Sequence, residues 1–307
     1  MLRKKNITLN GKKATGSEKL VSGDEIKLFL SDETYDKFAG TDTVVKEQQE
    51  TYRALERLAK KQSYKCIPVI YEDEHIAVLN KPAGMLSQKA NPSDISANEL
   101  FLAYLIDTNQ LTDKQFETVK PSVCNRLDCN TSGLILCGKT IHGLQMLSKA
   151  LQDRTMKKYY ICLVKGIIKE PITVEGYLKK DEQTNKVRIE KEAFEDAKYI
   201  KTAYEPLSNN GKYTRLKVHL ITGRSHQIRA HLAYLGHPLL GDFKYGDKTL
   251  NNYIKKEFGV NYQMLHAYEI LFDNGLHLFA PIPQLFDTIE GETNETGTCS
   301  SRRNSME

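Results

Sequence analysis

The sequence has 307 residues, is 40% hydrophobic and 27% charged, and carries a formal net charge of +5, which is the profile of a globular chain with one large domain and room for a small module. It has no apolar run near the roughly 18 residues of a membrane span, and no apolar stretch follows Met1-Leu2-Arg3-Lys4-Lys5, so neither a membrane protein nor a secretory leader is expected and a cytoplasmic location is. The charge is unevenly placed: residues 1–20 carry six Lys/Arg against Glu18, and residues 139–169 carry seven against Asp153, a local excess suited to neutralising phosphate.

Residues 1–31 read as a small β-rich piece. Asn6-Ile-Thr-Leu-Asn-Gly11 alternates apolar and polar residues and ends in an Asn-Gly turn, and Val21 to Leu30 reads as turn and strand. With the basic pair Lys4 and Lys5, this segment resembles the C-terminal half of the RNA-binding module named after small-subunit ribosomal protein S-four. Because that module's two leading helices have no counterpart before Met1, a partial module is expected. Residues 32–65 are polar and charge-dense and read as a linker, with Tyr52, Leu55 and Leu58 at helical spacing in its second half. From 66 to 289 the texture is that of a folded domain. Ile67 to Ile70 and His75 to Leu79 flank an acidic turn, and Asn80-Lys81-Pro82-Ala83-Gly84 turns the chain again. Leu100, Phe101, Tyr104 and Leu105 mark one helix. Thr140 caps a second, which carries Ile141, Leu144, Leu147 and Leu151. Lys157 to Lys165 is a β-branched and aromatic strand. Residues 170–196 show no clear period. Tyr199 to Leu207 and Tyr213 to Leu220 pair around Asn209-Asn210-Gly211, a helix runs from His226 to Tyr234, and Met264 to Phe272 pairs with Leu276 to Phe279. Residues 290–307 are polar and read as a disordered tail. Many hairpins and few helices predict an α+β fold with a mixed, mainly antiparallel sheet. Six cysteines (Cys66, Cys124, Cys129, Cys137, Cys162, Cys299) form no C-x-x-C pair and read as reduced thiols.

Three segments place unusual polar residues beside apolar runs. The first is Asn125-Arg126-Leu127-Asp128-Cys129-Asn130-Thr131-Ser132-Gly133, ahead of Leu134-Ile135-Leu136. On its own, the Arg126/Asp128 couple is equally a turn with a surface ion pair or a carboxylate kept charged at a strand edge. The second is Lys158-Tyr159-Tyr160, and the third runs from Thr222-Gly223-Arg224-Ser225-His226-Gln227-Ile228-Arg229 to His231, followed by Gly236-His237-Pro238-Leu239-Leu240-Gly241-Asp242. Together with Asn80 to Gly84 these resemble, in order, the four signatures of the large-subunit (RluA-type) RNA pseudouridine synthases: the entry hairpin, HRLDxxTSG, K-x-Y…G and TGRxHQIRxH…GHPxxGD. The resemblance spans about residues 66–287.

The resemblance implies an isomerase that detaches uracil from its ribose, rotates it and rejoins it through carbon five. No cofactor and no metal are implied. A nucleotide cofactor has no Walker or GxGxxG motif to receive it, and His226 and His231 lack a third ligand at zinc-like spacing. Asp128 is implied as the catalytic carboxylate, as nucleophile at the anomeric carbon or base at its neighbour. Arg229 is implied as its ion-pair partner, and Tyr160 as the residue against the base and a proton acceptor from carbon five. Asn125, Arg126, Thr131, Arg224, His226 and Gln227 are implied as substrate or RNA contacts. Asn125 stands where the family commonly has His, and Asn does not titrate. The implied partner is RNA, ribosomal before transfer RNA, and the implied state a monomer. A non-catalytic RNA binder would not need Asp128, Tyr160 and Arg229 together. A nucleoside hydrolase would need a second carboxylate, for which the motifs offer only Asp242, read as a turn residue.

Overall fold

The computed structural model describes residues 7–15, 18–29, 31, 42–181, 183–184 and 186–295. Lys4, Lys5, Asn6, residues 32–41, Cys299 and the tail from 296 lie outside the described residues. The chain divides into two units, residues 1–54 and 55–307.

In the first unit, β1 (Ile7–Leu9) pairs antiparallel with β2 (Lys12–Lys13) and with β3 (Ile26–Leu28). Asn10 (φ 50°) and Gly11 (φ 75°) make the tight β1–β2 turn that Asn-Gly predicts, both in the left-handed region. The Asn10 side chain then reaches β3's entrance, donating to Asp24 and accepting from the Glu25 amide. Where a linker was expected, α1 (Asp42–Lys60) runs across the division between the units. Tyr52, Leu55 and Ala59 are buried, which is why the helical spacing there carries more than an exposed connector.

The second unit is built on one eleven-stranded sheet among the described residues. Its strands are β4 (Val69–Glu72), β5 (Ile76–Lys81), β6 (Ser122–Val123), β7 (Ser132–Gly138), β8 (Lys157–Lys165), β9 (Ile172–Lys180), β10 (Val187–Glu190), β11 (Lys198–Asn209), β12 (Tyr213–Leu220), β13 (Leu265–Leu271) and β14 (His277–Phe279). The order is β10-β9-β11-β12-β8-β13-β7-β5-β4, with β14 on β13 and β6 on β7. The helices are α2 (Ala97–Asp107), α3 (Asp113–Thr118), α4 (Ile141–Asp153), α5 (Gln227–Tyr234), α6 (Lys248–Phe258) and α7 (Leu285–Glu295). Ser96 and Thr112 close capping boxes on α2 and α3, and Thr140 caps α4 by accepting from the Gly143 amide.

Alternation along β8 sorts the core. Tyr160, Cys162 and Val164 point toward α5 with Val218, Ile228 and Leu232. Ile161 and Leu163 point the other way, toward Ile254 of α6 and Phe286 and Ile289 of α7. A third cluster joins β5, β7 and α4 through Val78, Leu136 and Leu147. The parallel pairing of β13 with β7 brings Ala267 opposite Gly133 (φ 111°), where a Cβ would stand 2.2 Å from the Ala267 carbonyl oxygen. Only glycine lets the strand after the Asp128 loop enter the sheet here.

Two segments differ from the sequence reading. Residues 170–196 hold the β9–β10 hairpin at the sheet's end, where one face is polar and the period is weak. Helix α7 carries the fold to Glu295, past the expected tail start at 290, because Phe286 and Ile289 anchor it in the core. No described helix is long and apolar enough to cross a membrane. The five described cysteines are free thiols.

Candidate active site

The loop from Asn125 to Thr131 enters β7 and is tied down at nearly every residue. The Asn125 carbonyl Oδ1 accepts from the Leu136 amide at 2.7 Å. Ser87 Oγ donates to the Leu127 carbonyl (2.8 Å) and accepts from the Leu127 amide (3.0 Å). The Thr131 amide donates to the Asp128 carbonyl, and the Gly84 amide to the Cys129 carbonyl, both at 3.0 Å. Beneath lies Lys81, 0% exposed, whose ammonium donates to the carbonyls of Pro82, Met85 and Cys129 at 3.0, 2.7 and 3.0 Å. Three donors meet three acceptors, so the Asn80–Gly84 turn and the Asp128 loop are one rigid body. Burial pushes Lys81 down to about 8, and the nearby Cys129 and Asp128 act against that shift.

This frame presents the Asp128 carboxylate, 27% exposed, to a cleft of about 1260 Å³. From α5, Arg229 Nη1 donates to Asp128 Oδ2 at 2.8 Å. The opposite edge of the guanidinium makes a bidentate pair with Asp242: Nε to Oδ2 at 2.7 Å and Nη2 to Oδ1 at 2.9 Å. Asp242 is 1% exposed and also accepts from the Lys244 and Tyr245 amides. Burial acts to raise its carboxyl, but Arg229 and these amides outweigh it and hold Asp242 below the usual range. Burial likewise acts to lower Arg229, and the two carboxylates reverse that. The Tyr245 ring lies against the guanidinium, 5.2 Å from centroid to Cζ, and its hydroxyl bonds His226 Nδ1 at 2.8 Å.

Tyr160 lines the same cleft from β8 and is 8% exposed. Burial, then the charge of Asp128, raises its phenol above the ordinary tyrosine value. Its hydroxyl makes no hydrogen bond among the described residues, which leaves the ring and tip to a ligand. The structure thus brings Asp128, Tyr160 and Arg229 to one opening.

The remaining sequence candidates divide. Arg126 and Arg224 are exposed on the cleft wall. His226 sits at the N-cap of α5 with φ 54° and faces Tyr245, while His231 is fully buried with Nδ1 3.4 Å from Thr202 Oγ1, so the two histidines do not converge. Gln227 is buried and fully used inside the protein: Oε1 accepts from Thr222 Oγ1 and the Arg224 amide, and Nε2 donates to Lys201 O and Thr202 Oγ1. Thr131 is buried with Oγ1 accepting from Gln263. Both brace their loops from within. Asn125 does the same, and a neutral histidine's Nδ1, equally far along the side chain, could accept the Leu136 amide in its place. Sequence reasoning passed over Asp242 and Lys81 as sites. Both lay inside quoted motifs, but their turn-forming neighbours masked them.

A profile of the RNA pseudouridylate synthase family matches residues 75–234. The chain belongs to this family. Ribosomal large subunit pseudouridine synthase D of Borreliella burgdorferi is 35% identical over 69% of this chain and 63% of its own length, so this chain spans under two thirds of that relative. Ribosomal large subunit pseudouridine synthase C of Rickettsia bellii is 33% identical over 94% of this chain and 89% of its own. Among solved structures, human RNA pseudouridylate synthase domain containing 4 superposes with a TM-score of 0.59 at 20% identity, covering 77% of this chain and 95% of its own, which places the pseudouridine synthase fold.

Proposed function

We propose that this chain isomerises uridines of large-subunit ribosomal RNA to pseudouridine, with Asp128 as the reacting carboxylate. The observation that carries the reading is the chain Asp242–Arg229–Asp128 opening on a cleft beside Tyr160. Arg229 engages one Asp128 oxygen and fixes the carboxylate's orientation, which attack at the anomeric carbon and proton removal beside it both require. Tyr160 offers an aromatic face to the base. Its raised phenol favours packing over action as a phenolate at neutral pH. The family's relatives in Borreliella and Rickettsia are named for the ribosomal large subunit, which supports that RNA over transfer RNA.

The target base has to leave its stack to reach a carboxylate set in a cleft, so the nucleotide is flipped or already unpaired. Arg126 and Arg224 contact the strand outside. The three-stranded first unit, with Lys12, Lys13 and Lys27, is a further RNA contact, and the protein works as a monomer in the cytoplasm. The hydrolase alternative needs a proton-donating second acid, and Asp242 does not fit it. It is buried, doubly paired and held ionised.

Unmodified large-subunit ribosomal RNA, incubated with the protein and mapped chemically, is expected to gain pseudouridine at discrete uridines. Asp128→Asn is expected to abolish conversion and keep RNA binding. Release of free uracil, or full activity in Asp128→Asn, overturns the reading.

A further inference from the structure

One side of the cleft collects positive charge that no carboxylate among the described residues pairs. Lys158 lies two residues before Tyr160 on β8, on the same strand face and about 7 Å along it. It is half-buried, yet its ammonium makes no hydrogen bond or ion pair among the described residues. Its Nζ stands 3.7 Å from where a Cβ of Gly223 would be, so it sits against the exposed Gly223-Arg224-Ser225 turn. Arg154, at the end of α4, acts on Lys158 as a like charge. Burial, then Arg154, holds the lysine below its ordinary range. Arg154 itself adopts the left-handed conformation (φ 57°), where glycine is the usual residue. Arg224 projects into the same cleft, and neither arginine side chain is paired among the described residues. The first turn of α5, whose N-cap His226 makes no side-chain capping bond, opens on this side too.

A half-buried ammonium with a like charge beside it and no pairing carboxylate among the described residues is unfavourable in the free protein. A surface chosen for solubility leaves such an ammonium in water, as it leaves Arg154 and Arg224, or pairs it. An anion entering the pocket removes the cost at Lys158 and meets the two exposed arginines of the same wall. From this arrangement we infer that Lys158, Arg154, Arg224 and the Gly223–Ser225 turn form a socket for one phosphodiester group of RNA, that of the nucleotide whose base lies against Tyr160. The inference rests on the proposed function for the identity of the base. It adds a fixed grip on the backbone of the flipped nucleotide, on the same strand of the sheet as the residue that faces its base, so that base and phosphate are gauged against one rigid element.

The test uses the full chain with Lys158→Met, Lys158→Arg and, as a charge control, Lys248→Met on α6 outside the cleft. Binding of an unmodified large-subunit ribosomal RNA transcript is followed across a salt series. Lys158→Met is expected to reduce the slope of log affinity against log salt by about 0.7, one single-strand phosphate contact, and Lys158→Arg to keep it. KM is expected to rise about tenfold in Lys158→Met with kcat little changed. Its melting temperature is expected to rise, a change that separates the loss of binding from misfolding. A wild-type slope in Lys158→Met, or an equal drop in Lys248→Met, overturns the socket while pseudouridine formation by the wild type stands. Absence of any pseudouridine in wild-type reactions overturns the functional reading, and the assignment to a flipped nucleotide goes with it.

Discussion

A guanidinium has five N–H donors in one plane, and Arg229 divides them between two carboxylates. Asp242 takes the broad edge in a bidentate pair, and Asp128 receives a single bond from Nη1. That division matters for chemistry. A bidentate grip on Asp128 would hold both oxygens and blunt the carboxylate as nucleophile or base, whereas one bond orients it and leaves the second oxygen to the cleft. Asp242 is thus a positioning residue. Asp242→Asn retains the size and one acceptor but loses the charge. Arg229 is expected to turn toward Asp128, and the single-turnover rate on RNA to fall about 100-fold with RNA affinity within about twofold of wild type. Rapid-quench kinetics with a parallel binding assay measures both. Folding stability is expected to fall by about 3 kcal/mol, because a buried pair loses one partner. Asp242 escaped sequence reading for a physical reason: thirteen residues separate it from Arg229, and its local pattern, Gly241-Asp242 before Phe243, is that of a turn, which it also forms.

At the level of elements, the hairpins were legible because their turns are chemically forced. Asn10-Gly11, Asn210-Gly211 and Asn274-Gly275 each carry a glycine at positive φ. Helix α6 carried its signal without being read: Asp247 caps it, Leu250, Ile254 and Phe258 recur every four residues, and Gly259 ends it at φ 70°. The hairpin of β9 and β10 was not legible, since an edge pair with charged outward residues has no strong period. What no local pattern could convey is how the β5 turn grips the Asp128 loop. Lys81 and Cys129 are 48 residues apart, and their bond is created by the sheet, which pairs Lys81 with Gly133 across β5 and β7. Lys81→Met would take the donor from the Pro82 and Met85 carbonyls at roughly 1–3 kcal/mol each and leave the Cys129 carbonyl to the Gly84 amide, while relieving a buried charge, for a net loss of about 3 kcal/mol by urea unfolding. The pH dependence has a definite sign. The unfolded lysine titrates near 10.5 and the folded one near 8, so between those values the unfolded chain holds more protons. This group therefore makes stability rise with pH across that window. Unfolding at pH 7.5 and 9.5 is expected to show the rise in wild type and to lack it in Lys81→Met.

At the scale of the whole molecule, the second unit contains all that the proposed chemistry uses. Asp128, Tyr160, Arg229, Asp242, Lys81 and Lys158 all belong to residues 55–307, and the sheet that positions them is complete within it. The first unit has its own three-stranded sheet, with lysines on β2 and β3 and a wholly exposed β3. A sheet this small buries little and contributes little to the stability of the rest. Its use in the proposed function is to hold RNA, a contribution made equally before and during the reaction. Such uniform binding appears in KM and not in kcat. Removal of residues 1–41, which ends before α1 begins, is therefore expected to raise KM for ribosomal RNA about tenfold. The rate at saturating RNA should change by less than about twofold, and the melting temperature of the second unit should hold. Steady-state kinetics and a thermal melt on the shortened chain decide it. A fall in kcat at unchanged KM would mean that the first unit takes part in the reaction step, and a lowered melting temperature would mean that it supports the catalytic sheet.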